Sequence, residues 1–245
     1  MTLKPFWRYY GGKWANAKHY EPPRFNTIVE PFAGAAGYSH HFPSRDVVLV
    51  EKNPIVAAVW RWLIAASSAD VLAVGDIPDG GTVDDIDAPQ AARWLAGFWC
   101  NEGVTMPRKR PSVWAARSTK PVSGWGKGSR ARVASQVSAI KHWTILECDY
   151  SGAPDVDATW FIDPPYVGRA GRHYPCQPDD FDALGAWCRT RRGQVIVCEQ
   201  DGAAWLPFRP LASFKSTSGK NRPNRSAEVV WTSGETTRDL FGGAA

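Results

Sequence analysis

Long apolar runs are missing from this chain of 245 residues, and none approaches the roughly 18 residues that a membrane-spanning helix requires. The first residues, Met1 to Phe6, lack the apolar core of a secretion signal, so we expect a cytoplasmic protein. Cysteine is scarce: the five cysteines are odd in number and include no Cys-x-x-Cys pair. This usage indicates reduced thiols and argues against a disulfide framework or a zinc site. The five histidines are scattered apart from His40-His41, so we expect no metal.

Basic residues are absent from one acidic segment and concentrated in the segment that follows it. Residues 63–92 hold six aspartates and no lysine or arginine, whereas residues 101–140 hold eight basic residues and one acid, Glu102. Tryptophans and glycines interrupt the basic segment, and this mixture is typical of a nucleic-acid-binding surface. A solvated loop is the alternative. The candidate nucleic-acid-binding residues, including those of a later basic loop, are Arg108, Lys109, Arg110, Trp114, Trp125, Lys127, Arg130, Lys220, Arg222 and Arg225.

Short apolar runs alternate with amphipathic segments over the rest of the chain. This alternation predicts an α/β fold with a mostly parallel sheet covered on both faces. Asn53 with Pro54 is typical of a helix start, and Gly193 of a helix stop. The predicted strands are 27–30, 47–51, 143–147, 160–162, 194–199 and 228–232, and the predicted helices are 54–67, 89–99, 130–142 and 178–192. Segment 70–142 breaks the alternation and is predicted to be an insertion.

The tetrapeptide Asp163-Pro164-Pro165-Tyr166 follows the apolar run 160–162. Neither proline can donate to a sheet ladder, so the motif predicts a turn at the carboxyl end of a strand, where open α/β sheets bind ligands. A carboxylate and a proline carbonyl can accept the two N–H bonds of a planar amine while a tyrosine ring stacks on its face. We therefore predict a catalytic site at these four residues. The alternative is a turn that only ends a strand.

A second candidate site is the loop from Glu30 to Gly37. Small residues follow a predicted strand here and allow a ligand to approach the backbone closely. Glu51 ends the next predicted strand, about 20 residues further on, which suits a carboxylate that binds ribose hydroxyls. A nicotinamide oxidoreductase would use similar chemistry. Its G-x-G-x-x-G pattern is incomplete here, because only Gly34 and Gly37 are present.

Five motifs occur in an order that resembles one enzyme family. They are Tyr10-Gly11-Gly12-Lys13, EPFAGAAG at 30–37, Glu51, Glu147-Cys148-Asp149-Tyr150 and DPPY at 163–166. Over residues 8–232 the chain resembles the phage-like (class alpha) Dam-type DNA adenine-N6 methyltransferases. The resemblance implies S-adenosylmethionine as cofactor, double-stranded DNA as partner, and methyl transfer to the N6 amine of an adenine flipped out of the duplex.

The resemblance also implies a fold and a role for each group of site residues. A Rossmann-like, seven-stranded methyltransferase sheet would be formed by residues 1–69 and 143–245, with 70–142 as an inserted target-recognition region. The 30–37 loop would hold the methionine part of the cofactor, Glu51 its ribose and Asp149 its adenine. The implied cofactor-binding residues are Tyr10, Lys13, Glu30, Pro31, Phe32, Ala33, Gly34, Gly37, Glu51, Asp149 and Asp163.

The sequence departs from the family in two places and contains one further motif. Ala36 stands where many relatives have a second glycine. Segment 70–142 lacks the aromatic-Asn-Gly and Arg-Tyr pattern of GATC readers, so we expect a short or relaxed target sequence.

Pro175-Cys176-Gln177 resembles the nucleophile motif of cytosine-C5 methyltransferases but lies outside its usual context, so we interpret Cys176 as structural or incidental. Two further alternatives are N-methylation of RNA or another amine, and a non-catalytic nucleic-acid-binding module on this fold.

Overall fold

Seven strands form one mixed sheet in the structure, a computed structural model that describes residues 2–101, 103–111, 124–215 and 225–233. The order in the sheet is β3-β2-β1-β4-β5-β7-β6. The first five strands in this order pair in parallel, and β7 pairs antiparallel with both β5 and β6. The strands are β1 (Thr27–Pro31), β2 (Asp46–Val50), β3 (Thr144–Leu146), β4 (Ala158–Ile162), β5 (Gly193–Gln200), β6 (Arg209–Lys215) and β7 (Arg225–Thr232). This α/β arrangement is compatible with a Rossmann-like fold.

Local capping residues fix where the helices begin. The Asn53 side chain accepts the N–H of Ile55 at 3.1 Å ahead of Pro54, and Asp180 accepts two backbone N–H groups at the start of the last helix. The described α-helices are α1 (Pro54–Ala65), α2 (Ser68–Ala73), α3 (Gln90–Trp99), α4 (Lys127–Ala134) and α5 (Phe181–Arg189). The short 3₁₀ helices are Ala17–His19, Ser39–His41, Val83–Asp85, Val137–Ile140, Tyr150–Gly152 and Gly171–His173. None of the described helices is long and apolar enough to cross a membrane.

Two hydrophobic clusters cover the two faces of the sheet. Along β4, Phe161 belongs to one cluster, while Trp160 and Ile162 belong to the other. This is the alternation expected of a strand that is buried on both faces. The first cluster includes residues of α1 to α4 and of the N-terminal segment, and the second includes Leu184 and Cys188 of α5. Helices therefore cover both faces, as the sequence predicted.

The connection order creates a switch point in the middle of the sheet. From β1 the chain goes to β2 and β3 on one side, and β4 then pairs with β1 on the other side. In open parallel sheets, ligands bind outside the carboxyl ends of the strands at such a point. The segments that leave those ends begin at Phe32 after β1, at Glu51 after β2 and at Asp163 after β4. The predicted site residues thus lie at the edge where this rule expects a ligand.

Most of the predicted elements are present, and three details were wrong. The predicted helix 130–142 is shorter: α4 ends at Ala134, and a separate 3₁₀ turn follows. Strand β6 and helix α2 were not predicted. The loop after β1 leads into the 3₁₀ turn Ser39–His41.

The described part of segment 70–142 packs on the sheet. Val71, Leu95, Trp125 and Val133 all belong to the hydrophobic cluster that covers the α1 face. Whether the segment is an inserted target-recognition region stays a prediction. Its described residues nevertheless share the core of the sheet and do not form a separate core.

Candidate active site

A cleft opens at the switch point, at the carboxyl edge of the sheet. Tyr9, Phe32, Glu51, Asp163 and Tyr174 are among the residues that line it, and it encloses about 430 Å³ including its open mouth. A second hollow, which we call the side pocket, shares several of these residues. It adds Tyr10, Lys13, Glu30 and residues of the 33–37 loop.

Glu51 anchors the loop that follows β1. One oxygen of its buried carboxylate accepts the N–H of Gly34 at 2.9 Å, and the other accepts the N–H of Asn53 at 2.8 Å. Burial raises the pKa of Glu51, and these backbone hydrogen bonds oppose the rise. A carboxylate has about four acceptor positions, so capacity remains for hydroxyl donors of a ligand.

Lys13 joins two carboxylates next to the cleft. Its buried ammonium lies 2.9 Å from Asp163 Oδ1 and 3.5 Å from Glu228 Oε1, and it donates to the carbonyl of Gly11 at 3.1 Å. Tyr20 donates to the same Glu228 oxygen at 3.2 Å. We call Lys13, Asp163, Glu228 and Tyr20, together with Tyr166, the Lys13 network. It fixes the position and charge of Asp163.

The Asp163 carboxyl has an unusual proton affinity. Burial raises its pKa to about 6, the neighbouring Lys13 ammonium opposes that rise, and the Glu228 charge adds to it. Asp163 is therefore mostly ionised at neutral pH but close enough to its pKa to exchange a proton. Groups with such values are suited to general acid–base work. Burial lowers the pKa of Lys13, but the charges of Asp163 and Glu228 raise it, and the net shift is upward, so the ammonium stays charged.

Tyr166 contacts other members of the Lys13 network. The Lys13 ammonium lies 4.7 Å from the centre of its ring, and its hydroxyl donates to Glu228. Tyr166 lines neither the cleft nor the side pocket, whereas Tyr9 and Tyr174 line both. A base that entered the cleft would therefore meet the Tyr9 and Tyr174 rings, and stacking on Tyr166 stays a prediction.

The 30–37 loop has a constrained backbone. Phe32, Gly34 and Ala36 all have positive φ, at 63°, 46° and 48°, which is uncommon for residues other than glycine. At Gly37, a Cβ atom would lie 2.6 Å from the backbone nitrogen of Trp14, so only glycine fits against the N-terminal segment. Such strain clusters at ligand-binding loops. Ala36 adopts the backbone conformation that a glycine would favour at this position.

Glu30 points into the protein. Its buried carboxylate accepts the N–H of Ser39 at 2.6 Å, and burial raises its pKa to about 8. At neutral pH the carboxyl is therefore mostly protonated. Glu30 lines the side pocket, so it remains available to a ligand there as a neutral group.

Besides Tyr166, three predicted site residues line neither the cleft nor the side pocket. Pro31 ends β1, and Pro164 is buried in the turn after β4. Neither proline lines the cleft or the side pocket. Asp149 pairs with the Lys52 ammonium at 3.0 Å and accepts the N–H of Ser151 at 3.3 Å. Because Lys52 lines the cleft, Asp149 reaches the cleft only through this pair. Its role toward an adenine ring stays a prediction.

Part of the predicted DNA-binding set is used within the protein. Trp125 is buried and donates to the carbonyl of Gly75 at 2.9 Å, so its ring is not available for stacking on a base, and that prediction was wrong. Lys109 pairs with Asp84 at 2.7 Å, and the half-buried Arg130 pairs with Asp76. These pairs join the basic segment to the acidic one.

Three further members of the predicted DNA-binding set have exposed side chains: Arg108, Arg110 and Lys127. Trp114, Lys220 and Arg222 lie outside the described residues, as does the side chain of Arg225. The predicted DNA contacts of these residues stay a prediction.

Cys176 lines the cleft, which the sequence did not indicate. Burial and the charge of Glu51 raise the pKa of its thiol. A nucleophilic cysteine needs the opposite, a pKa low enough to form the thiolate. The interpretation of Cys176 as a non-catalytic residue is therefore retained. Among the described residues, no group of three or more metal-binding side chains occurs.

Sequence reasoning missed four residues of this site: Tyr9, Tyr20, Tyr174 and Glu228. Tyr9 directly precedes the Tyr10-to-Lys13 motif, and Tyr174 directly precedes Pro175, so their proximity to known motifs was a usable signal. Glu228 carried none, because it lies in the last described strand and is brought to Lys13 by the antiparallel pairing of β7 with β5.

Comparison with known proteins adds little to this description. No family model and no curated protein matches the chain. One similar solved structure is a conserved hypothetical protein of Streptococcus pyogenes, with 12% identity, 83% of this chain and 84% of that chain covered, and a TM-score of 0.34. A likeness at that TM-score carries no argument about function.

Proposed function

We propose that this protein transfers a methyl group from S-adenosylmethionine to the N6 amine of an adenine in double-stranded DNA. One observation carries the proposal: Asp163 of DPPY, Glu51 and the loop after β1 line a single cleft at the switch point of the sheet. The motif order, which resembles the Dam-type enzymes, gives these residues complementary roles. A bacterial cell, or one infected by a phage, is the setting that the resemblance suggests.

The residues of the cleft fit the proposed cofactor. Glu51 has free acceptor capacity for ribose hydroxyls, and residues of the 32–37 loop line the side pocket next to it. The carboxylate of Glu51 also suits a cationic sulfonium. When bound, S-adenosylmethionine supplies a methyl group that is already activated, so the protein needs to contribute placement more than acid catalysis.

The residues around Asp163 provide that placement. An exocyclic amine is a poor nucleophile because its lone pair is delocalised into the ring. The Asp163 carboxylate would accept one of its N–H bonds, the Pro164 carbonyl the other, and both bonds strengthen as the nitrogen becomes positive. With a pKa of about 6, Asp163 is also suited to take up the proton that the amine must lose. Lys13 holds this carboxylate in place, and the base must leave the duplex to reach it.

The charge on Glu51 gives a prediction for cofactor binding. We expect Glu51→Gln to weaken S-adenosylmethionine binding about tenfold or more, because a charged hydrogen-bond acceptor is typically worth about 1.5–3 kcal/mol. Glutamine suits the test better than alanine, which would leave the N–H groups of both Gly34 and Asn53 without an acceptor. Calorimetric titration measures the affinity. Equal cofactor affinity in variant and parent would contradict the ribose role, and thermal unfolding serves as the control for folding.

The Asp163 pKa predicts the pH dependence of methyl transfer. Because the ionised carboxylate is the active form, kcat/KM should rise with pH through about 6 and then level off. Glu228→Gln should move this acid limb to lower pH, since the Glu228 charge raises the Asp163 pKa. Rates are measured at constant ionic strength. A profile that is flat across this range in the wild type would argue against Asp163 as the titrating group.

The target sequence is tested by mapping N6-methyladenine on a plasmid from a host without adenine methylation of its own. We expect modification in several adenine contexts, because the GATC-reading pattern is absent from 70–142. Modification confined to GATC would contradict the expectation of a relaxed target but would support the proposed chemistry. Methylation of RNA in place of DNA would favour the alternative substrate.

A further inference from the structure

A third hollow lies beside the side pocket, between the N-terminal segment and α4. We call it the basic groove; Lys4, Arg8, Trp7, Trp14 and Arg132 are among the residues that line it, and it encloses about 770 Å³ including its open mouth. It shares Tyr9, Gly12, Ala35 and Gly37 with the side pocket. A ligand could therefore extend from the groove to the candidate active site without leaving the protein surface.

The groove concentrates positive charge. Lys4, Arg8 and Arg132 line it, and no aspartate or glutamate occurs among the described residues of its lining. Arg132 is held in place by a hydrogen bond to the carbonyl of Pro5 at 3.1 Å and by the Trp99 ring, 4.6 Å away. Burial and the charge of Arg8 both lower the pKa of Arg132. Two cations that repel each other in this way favour the binding of an anion between them.

The groove also presents aromatic surface. Trp7 and Trp14 line it, and the Trp14 ring lies under the Lys4 ammonium at 4.3 Å. Cations and aromatic rings together are what a nucleic-acid strand binds.

Building on the function proposed above, we propose that the basic groove binds the phosphodiester backbone of the DNA strand beside the nucleotide that enters the cleft. Lys4, Arg8 and Arg132 would contact phosphates, and the Trp14 ring would pack against a neighbouring sugar or base. The groove would then orient the substrate strand toward Asp163. This gives the N-terminal segment a role in DNA binding beside that of segment 70–142, which contributes Arg132 to the groove.

The test compares two double variants with the same change in charge. Lys4→Gln/Arg8→Gln alters two exposed side chains of the groove, whereas the control, Lys18→Gln/Arg189→Gln, alters two exposed side chains elsewhere. Fluorescence anisotropy of a short labelled duplex gives affinity as a function of salt concentration. At about 0.1 M salt each phosphate interaction that the groove variant removes should weaken binding about tenfold, and the salt dependence should flatten by about two units of slope. The control should keep the wild-type slope.

Methyl transfer, measured on the same proteins, separates this inference from the proposed function. If the wild type methylates DNA but the groove variant keeps wild-type affinity and slope, the groove proposal is overturned and the function stands. If the wild type transfers no methyl group yet duplex binding depends on the groove, the function fails and the groove proposal stands. Far-UV circular dichroism and thermal unfolding confirm that both variants are folded.

Discussion

Asp163→Asn is expected to reduce kcat for methyl transfer by about 10²–10³, because it removes a charged contact that strengthens as the amine nitrogen becomes positive. Binding of S-adenosylmethionine should stay within a few-fold of the wild type, since the Asp163 carboxylate acts mainly on the substrate amine. Asparagine keeps the size of the side chain and one carbonyl oxygen, so the variant isolates the charge. Single-turnover rates with saturating DNA and cofactor measure the effect.

Asp201→Asn is the matched control for this experiment. Asp201 is exposed in the turn after β5, away from the cleft lining, so the same chemical change there should leave the rate unaltered. An Asp163→Asn protein that retains more than about a tenth of the wild-type rate would contradict the assigned role, because one such contact is worth at least about 10².

Lys13→Gln is the change with the largest expected effect on stability. It leaves the Asp163 and Glu228 carboxylates together without their shared cation. Removing one member of a buried ion pair typically costs about 3–5 kcal/mol, and we expect a loss of about 3 kcal/mol in the free energy of unfolding. It should also raise the Asp163 pKa, so the acid limb of the rate profile should move to higher pH, opposite to the shift expected for Glu228→Gln.

The double variant Lys13→Gln/Glu228→Gln tests the mechanism of that loss. It removes the cation and one of the two carboxylates, and the glutamine carbonyl can still accept from Tyr20 and Tyr166. Stability should therefore recover in part, with a coupling energy of about 1–3 kcal/mol between the two sites. Denaturant unfolding gives these values, with Lys18→Gln as the control lysine. Strictly additive losses would show that the charges do not interact.

Strand-end chemistry was predictable from the sequence because it is local. Three features each follow a buried strand: the small residues after Pro31, the carboxylate of Glu51 and Asp163. Parallel strands bring their carboxyl ends to one edge, so the strand predictions alone brought these three features together. The caps at Asn53 and Asp180 are local as well, and the helices that they begin were predicted close to their observed starts.

Features that depend on distant contacts were not predictable. Helix α4 ends early where Gln136 bonds the backbone N–H of Lys4 at 2.6 Å and its carbonyl at 3.2 Å, and no local pattern signals such a contact. Strand β6 contains Pro210 and lies at the edge of the sheet, where proline is tolerated. Trp125 resembled a base-stacking residue because it lies in a basic, glycine-rich run. In the structure it is part of the hydrophobic cluster and donates to the distant carbonyl of Gly75.

Methyl transfer by the purified protein tests the proposed chemistry without intermediate assumptions. The wild type and Asp163→Asn are each incubated with unmodified duplex DNA and with S-adenosylmethionine that carries a label in its methyl group. The DNA is then digested to nucleosides. We expect label in N6-methyladenine with the wild type and a decrease of about 10²–10³ in its rate of appearance with the variant. Absence of labelled N6-methyladenine with a folded, cofactor-binding wild type, or equal rates for the two proteins, would contradict the proposed function.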